Sequence, residues 1–237
     1  MMNINSKYKL LLASTSTIHG SGYLEYILDE AVEFLDAKEI LFIPYARPSG
    51  LTYDEYTELP RKAFAQKNIQ VKGIHEFDKP KVAIENAEAI FIGGGNTFLL
   101  LKTLYEKELM DVLRKVVATG TPYMGSSAGS NITGLTVGTT NDMPIVYPPS
   151  FNALGFIPFN INPHYLDPDP NSTHKGETRE TRIGEFHHFN TINVLGIREG
   201  SWLRVEDGKV ELKGKLTARL FQAEEKPVEL DPGIIQF

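Results

Sequence analysis

In the first half of the chain, short and almost uninterrupted apolar runs alternate with longer amphipathic stretches. The apolar runs, which predict strands, are residues 9–13, 40–44, 69–74, 89–92 and 122–124. The amphipathic stretches 23–35, 53–67 and 97–119 carry large apolar residues at helical spacing. Strands without polar alternation are buried on both faces, so this order predicts an α/β fold: a doubly wound, mostly parallel, flavodoxin-like sheet.

The second half of the chain predicts a different arrangement of strands. Residues 144–170 are rich in proline and predict a long loop region around a short strand at 156–161. The later runs that predict strands are 192–197, 202–205, 209–212 and 218–222. Because a Glu206-Asp207-Gly208 turn joins the middle two, we expect a C-terminal antiparallel meander. Without linkers or repeats, residues 1–237 are expected to form a single domain.

Composition narrows the possible functions. The chain has no cysteine, which excludes disulfides, thiolate metal sites and cysteine nucleophiles. Its formal net charge is −6 and no lysine or arginine cluster is present, so we expect no nucleic-acid partner. The first apolar run, residues 10–13, is too short for a signal-peptide core or a membrane span. We therefore expect a cytoplasmic protein without membrane association, and no metal or cofactor.

The segment Gly125-Ser126-Ser127-Ala128-Gly129, directly after the apolar residues 121–124, is typical of a nucleophile elbow. In such a strand–turn–helix, flanking glycines relieve crowding while the serine hydroxyl projects beyond the sheet. Ser127 is therefore the candidate nucleophile. The amide of Ala128, at the start of the helix, is a candidate oxyanion donor. The alternative interpretation is an ordinary glycine- and serine-rich loop.

A serine hydroxyl needs a base within hydrogen-bond reach. His164 is favoured among the six histidines, since it follows a predicted strand and a proline in a loop, whereas the others lie in helix starts, strand ends or exposed helix. Its second ring nitrogen needs an acceptor, and both Asp142 and Glu199 are candidates. The sequence leaves this choice open: Asp142 could instead bind the amino group of a substrate, and Glu199 could be only a turn residue.

The loop Gly93-Gly94-Gly95-Asn96-Thr97 lies between a predicted strand and a predicted helix. In parallel sheets ligands bind beyond the carboxyl ends of the strands, where this loop would present backbone amides to an anion. A phosphate-binding loop is the alternative, but the Gly-Lys-Ser/Thr ending and the Gly-x-Gly-x-x-Gly spacing are both missing. We therefore predict that Gly94 and Gly95 supply a second oxyanion donor.

Together these motifs resemble the peptidase E family, whose members are aspartyl dipeptidases that use a serine on a fold like that of class I glutamine amidotransferases. The resemblance covers nearly the whole chain and is carried by Gly93-Gly94-Gly95-Asn96-Thr97-Phe98, Ser127-Ala128-Gly129-Ser130-Asn131, Thr139-Thr140-Asn141-Asp142-Met143-Pro144-Ile145, Asn162-Pro163-His164 and His174-Lys175-Gly176-Glu177-Thr178-Arg179-Glu180. It implies that Ser127 and His164 are the catalytic pair. The third member is assigned in the family to the position of either Asp142 or Glu199. One departure is Ser126, where members often carry a bulky aromatic residue.

The resemblance also implies hydrolysis of dipeptides, and by extension tripeptides, with an N-terminal L-aspartate through an acyl-enzyme on Ser127. The aspartyl side chain of such a substrate requires a cation. Lys175, Arg179 and Arg182 share one face of a predicted helix, and a bidentate Arg179 suits a carboxylate best. The alternative is a solvated helix face paired with neighbouring glutamates.

Three other functions are alternatives for a chain with these motifs. A lipase or esterase is disfavoured, because only 37 residues separate Ser127 from His164 and no lid-like apolar segment is present. A cyanophycinase-like enzyme, which cuts β-aspartyl-arginine polymers, is a closer alternative within the same fold. The third is a flavodoxin-like binding module with an inert Ser127. The expected partner is a small Asp-X peptide, and the expected assembly is a monomer or homodimer.

Overall fold

The computed structural model describes residues 4–48, 50–168, 171, 173 and 176–236. Five parallel strands form the centre and one side of its larger sheet: β1 (Leu10–Ala13), β2 (Glu39–Ile43), β3 (Gln70–Gly73), β4 (Ala89–Ile92) and β5 (Tyr123–Ser126). Seven further strands follow: β6 (Asn160–Pro163), β7 (Val194–Ile197), β8 (Trp202–Glu206), β9 (Lys209–Lys213), β10 (Ala218–Phe221), β11 (Val228–Leu230) and β12 (Gly233–Ile235).

These strands form two sheets in the described part of the chain. The larger sheet has the order β12-β9-β8-β1-β5-β4-β2-β3, and the smaller sheet has the order β11-β10-β7-β6. In the larger sheet β8, β9 and β12 are antiparallel additions beside β1. In the smaller sheet β6 and β7 are parallel, while β10 and β11 are antiparallel.

The helices are α1 (Leu28–Leu35), α2 (Tyr53–Ala65), α3 (Pro80–Glu85), α4 (Thr97–Glu106), α5 (Met110–Ala118), α6 (Ala128–Asn131) and α7 (Arg179–His187). Local sequence determines several of their starts. Thr52 and Glu55 form a capping box before α2, and the Asn96 side chain caps α4.

The core lies on both faces of the larger sheet. In β1, Leu10 and Leu12 pack in one apolar cluster and Leu11 and Ala13 in the other, and all four side chains are fully buried. Successive side chains of a strand point to opposite faces, so the unbroken apolar run supplies both layers at once. The predicted α/β fold with a mostly parallel, helix-covered sheet is therefore confirmed.

Several element boundaries differ from the sequence-based predictions. Helix α1 begins at Leu28 rather than at residue 23, because Leu24 adopts a left-handed φ of 58°. The predicted helix 97–119 is two helices, α4 and α5, separated where Glu108 has a φ of 54°. The short strand predicted at 156–161 begins only at Asn160.

The antiparallel strands predicted at the C-terminus are present, but they are divided between the two sheets. The hairpin of β8 and β9 extends the larger sheet, where Leu10 of β1 pairs with Val205. Strands β7 and β10 pair in the smaller sheet. The predicted meander is divided in this way because β8 pairs with β1 and covers its edge, which would otherwise present unpaired backbone groups.

Candidate active site

Ser127 lies at the turn between β5 and α6. Its backbone has φ 52° and ψ −111°, its amide donates to the Ala13 carbonyl at 3.1 Å, and its carbonyl accepts from the Ser130 amide at 3.0 Å. A Cβ on Gly129 would lie 2.1 Å from the carbonyl oxygen of Ile92, so only glycine fits against β4 there. The tight turn therefore holds the Ser127 hydroxyl at the carboxyl edge of the sheet.

His164 bridges Ser127 and Glu199. Its Nε2 lies 2.8 Å from Ser127 Oγ, and its Nδ1 lies 2.6 Å from Glu199 Oε1. The His164 amide donates to Ser14 Oγ at 2.9 Å, and that buried hydroxyl donates to the Ile197 carbonyl at 2.7 Å. Ser14 thus ties together the ends of β1, β6 and β7 and fixes the backbone beneath the imidazole.

Glu199 is held in place through its neighbour Arg198. The Arg198 guanidinium binds Asp167 through two nitrogens, at 2.8 and 2.7 Å, and binds Glu229 at 3.0 Å. The hydrogen bond from Arg198 lowers the pKa of Glu229 to about 2, and the same ion pairs raise the pKa of Arg198. This ionic cluster anchors the turn that carries Glu199.

Asp142 lies elsewhere in the site. Its Oδ2 accepts a hydrogen bond from the Thr97 amide at 2.8 Å, at the start of α4, where the helix dipole favours an anion. Burial and the neighbouring charge of Arg182 lower the pKa of Arg179, while the charge of Asp142 acts in the opposite direction, so Asp142 lies within electrostatic range of Arg179. Of the two carboxylates that the sequence left open, Glu199 is the one that contacts His164.

The glycine-rich loop lies against the nucleophile. A Cβ on Gly94 would be 2.9 Å from the Cβ of Ser127, and the Gly94 carbonyl accepts from the Tyr56 hydroxyl at 2.9 Å. Among the residues that the structure describes, the amides of Gly94, Gly95 and Ala128 have no backbone acceptor. Gly94 and Ala128 therefore offer free donors beside Ser127, and Gly95 offers a third in the same loop as Gly94.

Helix α7 carries two of the three candidate cations, Arg179 and Arg182. Thr178 caps it by accepting from the Thr181 amide at 3.1 Å, and Arg179 is its first residue, partly buried. Arg182 is exposed and lies 3.8 Å from Glu177, which matches the solvated alternative for that position. The third candidate, Lys175, lies outside the described residues.

Three residues beside the site were not assigned by the sequence analysis. Ser14 belongs to a polar loop after β1, and that position at the edge of the sheet was its only signal. Tyr56 fits the apolar face of α2 and gives no signal of its own. The buried Ser126 hydroxyl has no hydrogen-bond partner in the described part of the chain.

The described residues contain neither a candidate membrane-spanning helix nor a candidate metal site. No helix there has the length and apolar character that a membrane crossing requires. No group of three or more histidine, aspartate or glutamate side chains is arranged to hold a metal ion in that part of the chain.

Comparison with known proteins identifies the family of this chain. The sequence profile of Peptidase family S51 matches residues 10–213. "Peptidase E" of Streptomyces coelicolor is 53% identical over 94% of this chain and 91% of its own length. "Probable alpha-aspartyl dipeptidase" of Drosophila melanogaster is 47% identical over 96% of this chain and 95% of its own length.

A solved structure supports the fold. The crystal structure of a peptidase from an acI-B1 Actinobacterium has a TM-score of 0.72 at 17% identity, and the alignment covers 100% of this chain and 98% of that one. At this identity the likeness concerns the fold alone. The profile match and the two sequence relatives establish the family, and the chain belongs to peptidase family S51.

Proposed function

We propose that this protein is a serine exopeptidase that hydrolyses dipeptides with an N-terminal L-aspartate. The observation that carries the proposal is the continuous contact from Ser127 Oγ to His164 Nε2 and from His164 Nδ1 to Glu199. The names of the Streptomyces and Drosophila relatives support the reaction and the aspartyl specificity.

In this mechanism His164 takes the proton of Ser127 as the hydroxyl oxygen attacks the scissile carbonyl carbon. The new C–O bond leaves a tetrahedral oxyanion, which the amides of Ala128 and of the Gly94–Gly95 segment stabilise. The imidazolium then gives the proton to the departing amine as the C–N bond breaks. Water hydrolyses the acyl-enzyme with His164 again as base. Glu199 keeps the imidazole oriented and stabilises its charged form.

We propose that Arg179 binds the side-chain carboxylate of the substrate and that Asp142 binds its free amino group. Asp142 lies at the start of α4, and Arg179 is the first residue of α7. The charge of Asp142 acts on the pKa of Arg179, and this proximity of opposite charges supports a shared pocket for a zwitterionic residue. Lys175 and Arg182 are assigned helper roles. A charge-assisted pair in a partly closed pocket favours aspartate over asparagine, whose amide leaves the cation unpaired.

A panel of Asp-Leu, Glu-Leu, Asn-Leu, Ala-Leu and β-aspartyl-arginine tests the proposal, with Ser127→Ala as the inactive control. We expect rapid cleavage of Asp-Leu alone. Preferred cleavage of β-aspartyl-arginine would identify the cyanophycinase-like alternative. If Ser127 does not react with a serine-directed phosphonate and the protein cleaves none of the peptides, the protein is a binding module.

We further propose that the protein acts in the cytoplasm as a monomer or homodimer, with no nucleic-acid partner. The net charge of −6 supports the last point, because it gives no basic field for a phosphate backbone. Fractionation of the source cells and light scattering of the purified protein test location and assembly.

A further inference from the structure

We infer that Tyr56 is a positioning residue for the oxyanion hole, and that its buried hydroxyl fixes the peptide plane between Gly94 and Gly95. The inference rests on the proposed function, because an oxyanion forms only when Ser127 attacks a carbonyl. It adds a residue on α2, behind the glycine-rich loop, to the residues that shape the reaction.

The first support is the contact itself. Tyr56 has no exposed surface, and its hydroxyl donates to the Gly94 carbonyl at 2.9 Å. Its ring packs edge-on against Phe42 with centroids 5.1 Å apart, so the ring has little freedom to rotate. A Cβ on Gly93 would lie 2.4 Å from the Tyr56 hydroxyl oxygen, which shows how closely the loop passes over the ring.

The second support is the geometry of a trans peptide. Among the described residues no peptide bond is cis, so the carbonyl of Gly94 and the amide of Gly95 point in opposite directions. When Tyr56 holds the carbonyl toward α2, the Gly95 N–H is held pointing away from α2. The next peptide is fixed as well, because the Asn96 amide donates to the Ala46 carbonyl at 2.7 Å.

The third support is the environment of the Tyr56 hydroxyl, which keeps it a hydrogen-bond donor. The Arg47 guanidinium carbon lies 4.5 Å from the centroid of the Tyr56 ring, and its Nε is buried without a partner in the described part of the chain. Burial raises the pKa of Tyr56, so the phenol keeps its proton and remains a donor. Hydrogen bonds in series polarise one another, so a donor at Gly94 O makes the Gly95 N–H a stronger donor.

A buried hydroxyl that donates to a loop carbonyl could serve stability alone, and Tyr123 offers a matched control. Tyr123 is also fully buried, and its hydroxyl donates to the Gly129 carbonyl at 2.6 Å. The amide of that peptide, from Ser130, already donates to the Ser127 carbonyl at 3.0 Å. Removing the Tyr123 hydroxyl therefore deletes a comparable bond without releasing an oxyanion donor.

The test compares Tyr56→Phe with Tyr123→Phe in steady-state kinetics on Asp-Leu, in thermal unfolding, and in affinity for the boronic acid analogue of aspartate. This analogue forms a tetrahedral anion on a serine. We expect both variants to lose similar stability. Only Tyr56→Phe should lower kcat, by about tenfold with KM within about twofold, and weaken the boronic acid by the same factor. A Tyr56→Phe kcat no lower than that of Tyr123→Phe would overturn the inference.

Replacement of Tyr56 by 3-fluorotyrosine gives a second readout and serves if Tyr56→Phe does not fold. A more acidic phenol donates more strongly, so kcat and boronic acid affinity should both rise. Unchanged values would contradict the inference, since a hydroxyl that serves stability alone does not affect kcat or boronic acid affinity. The wild type reports separately on the proposed function: failure to cleave Asp-Leu refutes the function, whereas normal cleavage with unaffected variants refutes only the role of Tyr56.

Discussion

Glu199 Oε1 lies 2.6 Å from Nδ1 of His164, although the two residues are 35 positions apart. The contact follows from strand register. Strands β6 and β7 are parallel neighbours in which Pro163 pairs with Ile197, and each strand is followed almost at once by one of the two residues. Since this contact occupies Nδ1, Nε2 is left to face Ser127.

Ser127→Ala and His164→Ala should each remove nearly all turnover of Asp-Leu while the protein remains folded. The nucleophile and its base act as one unit, so the double variant should be no slower than either single variant. Steady-state kinetics with circular dichroism as the folding check measure this. A multiplicative loss in the double variant would mean that the two residues act in different steps.

Glu199→Gln should lower kcat by about 10²- to 10⁴-fold, because an amide at this position favours the wrong imidazole tautomer. The half-exposed Glu199 side chain places the expectation toward the lower end of that range. Asp142→Asn is the matched comparison and should mainly raise KM. Equal and mild effects of both changes on kcat would indicate that Ser127 and His164 work as a dyad.

Arg179→Met should lower kcat/KM for Asp-Leu by at least about 30-fold, the equivalent of about 2 kcal/mol of lost charge pairing. It should change the slow cleavage of Ala-Leu far less. Arg182→Met, in the same helix but at an exposed helper position, should lower kcat/KM for Asp-Leu far less than Arg179→Met does. Equal losses on both peptides would move the search for the carboxylate-binding cation to Arg47 or His19.

Glu229→Gln should destabilise the protein at neutral pH, because the Arg198 hydrogen bond holds the pKa of Glu229 at about 2, below its ordinary value of 4.5. A depressed carboxyl pKa contributes stability above the ordinary value, and this contribution is lost as the pH falls from about 4.5 to about 2. The difference in unfolding free energy between wild type and variant should therefore shrink over that range. Chemical denaturation at several pH values measures it.

Glu211→Gln provides the control for this pH series. Glu211 lies 3.6 Å from Lys213 on the surface of β9, outside the Arg198 cluster. The stability difference for Glu211→Gln should be small throughout the series, because an exposed ion pair contributes little to stability. A Glu229→Gln difference that stays constant down to pH 2 would contradict the assigned ion pairing.

Ser126→Ala should leave the protein as stable as the wild type or more stable, by up to about 1 kcal/mol. The Ser126 hydroxyl is buried and has no partner in the described part of the chain, so its removal relieves a desolvation cost. Thermal unfolding checks the direction. A clear loss of stability would show that the hydroxyl makes a hydrogen bond through an ordered water.

The sequence predicted those features that depend on local pattern. The unbroken apolar runs predicted the parallel sheet, and the glycines around Ser127 predicted the turn that holds this serine. The choice between Asp142 and Glu199 depended on the pairing of β6 with β7, which no local pattern encodes. Tyr56 was missed for a related reason: on α2 it is one apolar-face residue among others, and only the folded chain brings its hydroxyl to Gly94.

Ser127 and His164 share a backbone property: both have left-handed φ values, 52° and 53°, that suit glycine better than any residue with a side chain. Each such conformation costs about 1–3 kcal/mol. Glycine at either position would relieve the backbone strain and, in the same step, abolish the proposed chemistry. Selection of variants by heat resistance alone would therefore enrich inactive proteins, and any search for a hardier form of this protein has to screen for turnover at the same time.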